Sequence, residues 1–307
     1  MIKKTIYLGN PYHLCIKNQQ LELKVPEGKG VDKVLTKTIP LEDIGIIILD
    51  HQQLTLTHPF LQQVSAFNIA LVSCDQNHLP SSMLLPLDGH TTQQERFRAQ
   101  IEATEPLKKQ LWQQTIKAKI SNQAKLLQKI ACNEESKSLL QFSKDVSSGD
   151  TQNLEARAAA MYWKNLFREF IPNFTRDRFG SYPNNLLNYS YAIIRATVAR
   201  SLVGSGLLPT LGIHHKNKYN AYCLADDIME PYRIYADELV WNLIAESNGD
   251  ELELDKIVKA KILGLPAKEI LINNQRSPMM VGLQRTTSSL AQCFEGDNRK
   301  VLFPEFG

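Results

Sequence analysis

Three stretches of the 307-residue chain carry acids, imidazoles and bases that a purely structural helix does not need. In LEARAAAMYWKNLF, residues 154–167, Glu155 falls in the first turn of a helical pattern whose apolar stripe runs through Ala156, Ala159, Ala160, Trp163, Leu166 and Phe167. In GLLPTLGIHHKNKYN, residues 206–220, a loop delivers the adjacent histidines His214 and His215. Adjacent side chains point in different directions, so one of the two at most serves a given site. In LADDIMEPYR, residues 224–233, Asp226, Asp227 and Glu230 stand three and four apart on a helical pattern, where like charges repel unless a cation lies between them.

Each stretch also has a plain structural reading. Glu155 complements the positive end of its helix, a loop histidine makes ordinary hydrogen bonds, and the acids form a solvated face neutralised by Arg233 and Lys218. Taken together, Glu155, His215 and Glu230 make an acid–imidazole–acid set that suits Mg²⁺ or Mn²⁺, since hard cations take carboxylate oxygen and Mn²⁺ also accepts imidazole. Asp227 is a further candidate ligand or supporting acid. Lys164, Arg168, Arg176, Arg178, Lys216 and Lys218 edge the set and could bind phosphates. A metal ringed by such cations is equipment for phosphodiester chemistry.

Composition narrows the class. The formal net charge is only +3, so nucleic-acid binding must rest on local patches. One such patch is Lys108, Lys109, Lys117, Lys119, Lys125 and Lys129, in a run without acids that reads either as a solvated helix face or as a DNA contact. The five cysteines are scattered and form no CxxC pair, which excludes a disulfide framework and a thiolate zinc site. No apolar run approaches the roughly 18–20 residues of a membrane span, and MIKKTIYLGN has no signal-like apolar core, so a bacterial cytoplasmic location is expected.

The elements that must position these residues divide in two. Residues 1–78 alternate apolar and polar positions around turn signals and include the buried-strand run IGIIIL, with a short helix near residues 58–65; they read as a small β-rich domain. Residues 79–92, with two prolines and a glycine, read as a linker. Residues 93–307 read as helical, over 93–105, 107–132, 139–146, 154–170, 185–204, 225–245 and 254–264. The expected fold class is α+β: a β-sandwich-like domain followed by a larger all-α catalytic domain.

The three motifs, with LLNYSYAIIRATVARSLVGSGLLPTLGIHH as the full form of the second, resemble the CRISPR-associated spacer integrase family, and GIHH followed by LADDIMEPYR resembles its type II branch. The resemblance implies that Glu155, His215 and Glu230 are catalytic metal ligands and that Asp227 assists. It implies no role for His214. It further implies a metal-dependent endonuclease and integrase, in which the 3′-OH of protospacer DNA attacks a phosphodiester of the CRISPR leader or repeat. The partners it implies are double-stranded DNA, a second copy joined through the β domain, a small adaptation subunit completing a heterohexamer, and the type II effector nuclease. A catalytically silent DNA-binding scaffold and a stand-alone metal nuclease are the competing readings.

Overall fold

The computed structural model describes residues 3–25 and 36–307. Residues 1–2, where the signal-free start was read, and residues 26–35 lie outside the described residues. The chain forms two compact units, Met1–Gly89 and His90–Gly307.

The first unit contains β1 (Lys4–Leu8), β2 (His13–Lys17), β3 (Gln20–Lys24), β4 (Thr36–Pro40), β5 (Ile44–Leu49), β6 (Thr55–Leu56), α1 (His58–Ala66), β7 (Ala70–Cys74) and β8 (Pro80–Leu84). They make two four-stranded sheets, ordered β1-β5-β7-β8 and β4-β3-β2-β6. β5 is flanked by parallel β1 and β7, and a strand covered on both faces reads as an unbroken apolar run; its residues from Ile44 to Ile48 are buried. Leu14, Leu21, Leu23, Ile44, Ile47, Phe60 and Val64 join both sheets and α1 in one core. The segment expected to be a linker contains β8, which pairs antiparallel with β7. Pro80 is tolerated because it opens a strand at the sheet edge, where a missing N–H costs no ladder bond.

The second unit is built from α2 (Gln93–Glu102), α3 (Glu105–Lys129), α4 (Asn133–Asp145), α5 (Leu154–Leu166), α6 (Asn184–Gly204), α7 (Cys223–Met229), α8 (Arg233–Glu246), α9 (Lys256–Leu263), a hairpin of β9 (Glu269–Ile272) and β10 (Gln275–Pro278), and α10 (Met279–Glu295). The hairpin and α10 were not anticipated. Asn273 and Asn274 turn the hairpin with positive φ at both positions, the conformation a two-residue turn needs and asparagine tolerates. The expected helix over 225–245 is broken by a 3₁₀ turn at Glu230–Tyr232, because Pro231 has no N–H to continue the α ladder.

α3 is the spine of this unit. Pro106 stands in its first turn and the Thr104 hydroxyl accepts the Leu107 N–H, a capping pattern that starts a helix firmly. Along it Leu111, Trp112, Ile116, Ile120, Ala124 and Leu127 are buried. Buried Asn122 donates to the carbonyls of Pro231 and Pro304, at 3.0 and 2.9 Å, and its oxygen accepts the Phe306 N–H at 3.0 Å. One amide thereby ties the turn after Glu230 to the C-terminal tail. Among the described residues no helix is long and apolar enough to cross a membrane.

Candidate active site

Glu155 and Glu230, far apart in sequence, converge on one ammonium group. Lys119 Nζ on α3 lies 2.7 Å from Glu155 Oε1 and 2.7 Å from Glu230 Oε2. Glu155 is free to reach inward because another residue caps its helix: the Asp150 carboxylate accepts the Leu154 and Glu155 N–H groups at 2.9 Å each. The stripe α5 buries is Leu154, Ala158, Tyr162 and Leu166, whereas Ala156 and Ala160 are exposed. Of the expected stripe Leu166 and Phe167 are buried while its alanines at 156 and 160 are not, and Glu155 flanks the stripe that is buried.

Glu230 is 4% exposed and is held by Arg233 Nη2 at 2.8 Å from its Oε1. Burial alone would raise its pKa, but Arg233 and Lys119 outweigh that and hold the carboxyl below its ordinary value. Burial would likewise depress the Lys119 ammonium, yet the charges of Glu230 and Glu155 keep its pKa above the ordinary one. Glu230 and Lys119 are therefore charged at neutral pH. Lys119 is the charged partner of the buried Glu230 Oε2.

The histidine loop is organised from inside by Asp227. This fully buried carboxylate accepts the N–H groups of Ile213 (2.7 Å), His214 (3.0 Å) and His215 (3.2 Å), and meets His215 Nδ1 at 2.6 Å. That hydrogen bond raises the His215 pKa against the opposing effect of burial and leaves Nε2 as the outward nitrogen. Gly212 is needed for the loop to come this close: a Cβ there would sit 2.4 Å from the His215 carbonyl oxygen and 2.8 Å from Asp227 Oδ2. His214 stacks face to face on Trp112 at 4.0 Å, and the His215 ring meets the same indole edge-on at 5.8 Å.

The expected acidic platform on one helical face does not form. Asp227 is engaged by the loop, and Asp226 pairs with Arg195 Nε at 2.6 Å and Asn220 at 2.7 Å. Glu230, beyond the end of α7, turns to Lys119 and Arg233. Each acid has its own partner, so the repulsion expected at three- and four-residue spacing is relieved separately. Among the described residues no three His, Cys, Asp or Glu side chains stand close enough to hold one ion. His215 is near enough to Glu230 for their charges to act on each other.

The basic residues fall into two groups. Lys108, Lys216 and Lys218 line an open cleft of about 370 Å³ with His215. Lys164, Arg168 and Arg176 line a groove of about 570 Å³ together with Trp163 and Phe174; Arg176 is held by Asn184 and Asn188 at 3.0 and 2.6 Å, and Arg178 sits over the Phe179 ring. The lysine run on α3 is not a single solvent face. Lys119 is buried in the site and Lys129 pairs with Glu238 at 2.5 Å, while Lys109 is exposed. Sequence reasoning missed Lys119 as a site residue, although Trp112, Ile116, Lys119 and Gln123 recur at helical spacing and so placed it on the buried stripe.

A carboxylate pair bridged by a buried lysine, a histidine loop and basic grooves thus lie on a helical unit that follows a β-rich unit. Residues 6–274 match the family model for CRISPR associated protein Cas1, and the chain belongs to the Cas1 family. It is 36% identical over 265 residues to the CRISPR-associated endonuclease Cas1 of Neisseria meningitidis serogroup C (strain 8013), covering 86% of each chain. Among solved structures it resembles a casposase bound to integration product, with a TM-score of 0.78 and 20% identity over 98% of this chain and 92% of that one. It also resembles a chain of a Cas6-RT-Cas1–Cas2 complex, with a TM-score of 0.75 and 19% identity over 99% of this chain and 36% of that one.

Proposed function

We propose that the protein is a divalent-metal-dependent DNA endonuclease and integrase of CRISPR adaptation, with Glu155, His215 and Glu230 as its catalytic residues. The observation that carries this reading is the convergence of Glu155 and Glu230, from separate helices, on the single cation Lys119. Their oxygens are no farther apart than about twice 2.7 Å. By type the donors suit Mg²⁺ or Mn²⁺: the carboxylates of Glu155 and Glu230 and an imidazole whose Nδ1 is already committed to an acid. Lys119 stands between the two glutamates, and the three donors are not gathered round one point. A bound ion supplies Lewis acidity toward a phosphate oxygen and the nucleophile.

The chain's own residues do the rest. Asp227 fixes the His215 ring so that Nε2 faces outward. Arg233 holds the Glu230 carboxylate in place. Lys108, Lys216 and Lys218 beside His215, and Lys164, Arg168 and Arg176 across α5, bind phosphates and set the register of the DNA without reading its sequence. Attack by a DNA 3′-OH exchanges one phosphodiester for another and gives integration; attack by water at the same centre gives cleavage.

The relative named a CRISPR-associated endonuclease supports the nuclease reading. The likeness to a casposase bound to integration product and to a Cas6-RT-Cas1–Cas2 complex supports DNA and a Cas2-like subunit as partners. We further assign the β unit to self-association; β4 and β6 end one of its sheets and β1 and β8 the other, and sheet-end strands are surfaces suited to pairing.

The test is strand transfer with Mn²⁺ or Mg²⁺ by folded Glu155→Ala and His215→Ala proteins. Loss of integration and cleavage together is expected, and undiminished integration by either variant would refute the assignment.

A further inference from the structure

A small cavity of about 30 Å³ lies beside the Glu230 carboxylate, where Lys119, Gln123, Trp163, Tyr191 and Arg233 also line it. A space of that size holds one water molecule or one ammonium group. Gln123 follows Lys119 by one turn of α3, so the two side chains lie on the same face. Its Oε1 is buried and has no hydrogen-bond partner, although Gln123 is only 6% exposed. A buried acceptor without a donor is costly, and this one faces the cavity beside the only cation shared by Glu155 and Glu230 among the described residues.

We infer that Lys119 is a resident counter-cation with two seats: it holds Glu155 and Glu230 together before metal binds, and its ammonium swings to Gln123 Oε1 when a divalent ion takes its place. The inference rests on the metal reading of this carboxylate pair. Glu230 is buried and Glu155 beside it is half-buried; without a cation at this seat the charge at Glu230 Oε2 would be left uncompensated at a destabilising cost, so the first seat keeps the pocket folded. A divalent ion held by these two carboxylates would compete for them with an ammonium 2.7 Å from each. The displaced charge stays buried, and Gln123 supplies the acceptor it then needs. Lys119 remains protonated throughout, so the exchange is of one cation for another and moves no proton. Lys119 and Gln123 are positioning residues: they set how tightly the ion binds.

The experiment is Mn²⁺ affinity measured by electron paramagnetic resonance on the full chain without DNA, beside thermal melting with and without Mn²⁺. Lys119→Met should lower the metal-free melting temperature and tighten Mn²⁺ binding about tenfold. Gln123→Leu should leave the metal-free melt unchanged or higher and weaken Mn²⁺ binding about tenfold, because the displaced ammonium has lost its second seat. Gln123→Leu also keeps the test open if Lys119→Met does not fold. Glu230→Gln serves as the control that separates the two ideas. If it abolishes Mn²⁺ binding while Gln123→Leu and any folded Lys119→Met bind Mn²⁺ as the unmodified protein does, the two-seat exchange is overturned and the metal site stands. If the unmodified protein binds no Mn²⁺ that Glu230→Gln removes, the metal reading fails and the exchange with it.

Discussion

Asp227 Oδ1 lies 2.6 Å from His215 Nδ1 while the same carboxylate accepts three consecutive backbone N–H groups of the loop that carries the histidine. One buried acid thus sets both the path of the loop and the orientation of its imidazole. Because the bond raises the His215 pKa, its stabilisation is full below the ordinary imidazole value of roughly 6.5 and fades as pH rises through the elevated one. Asp227→Asn should return the His215 titration, followed by proton NMR, toward the ordinary value. It should also weaken Mn²⁺ binding by about 10–100-fold. A His215 titration unmoved by the substitution would show that the bond does not form in solution.

Gly212→Ala places a methyl group 2.4 Å from the His215 carbonyl oxygen, a backbone atom that cannot simply turn aside. The loop must shift, at a cost of about 1–3 kcal/mol. We expect a lower melting temperature and a loss of strand transfer larger than the stability change explains. Full activity in this variant would mean that the loop adjusts without moving His215.

Asp237 lies behind the site, accepting hydrogen bonds from Tyr162 at 2.8 Å and from Tyr191. Burial pushes its pKa up to about 6, against the lowering effect of those hydrogen bonds and of Arg233. A carboxyl raised in the folded state contributes stability that is full below about pH 3.8 and lost as pH climbs through about 6. The span corresponds to roughly 3 kcal/mol. In urea unfolding between pH 4 and 6.5, Asp237→Asn should remove this downward contribution with rising pH; an identical pH slope in the variant would place the titration elsewhere.

Lys164, Arg168 and Arg176 share a groove with Trp163 and Phe174. If the groove carries DNA, replacing Lys164 or Arg168 by Ala should weaken binding similarly for unrelated sequences. Each replacement should also reduce the slope of log K against log salt by about 1. An unchanged slope would remove the groove from the DNA path.

The parts legible in the sequence were those with strong local pattern: the IGIIIL strand, the long amphipathic helices, and the motifs that carry Glu155, His215 and Glu230. What stayed hidden was set by tertiary contact. Lys119 reads as one base among six in a polar run, and only the packing around α3 turns it inward. The acids Asp226, Asp227 and Glu230 look like one cluster because spacing describes a continuous helix, whereas Pro231 ends it and each acid finds its own partner. The α5 stripe was misjudged because alanines on either side of a helix are equally apolar, and only the neighbours choose between them. The strand Pro80–Leu84 was masked by its proline and serines, residues that speak for a loop until an edge position excuses them.

Asn122 gives the molecule a clasp. A single side chain joins the Pro231 carbonyl to Pro304 and Phe306, so residues 304–306 brace the peptide that follows Glu230. Disturbing Pro304 or Phe306 would therefore be felt at the Glu230 carboxylate, far away in sequence.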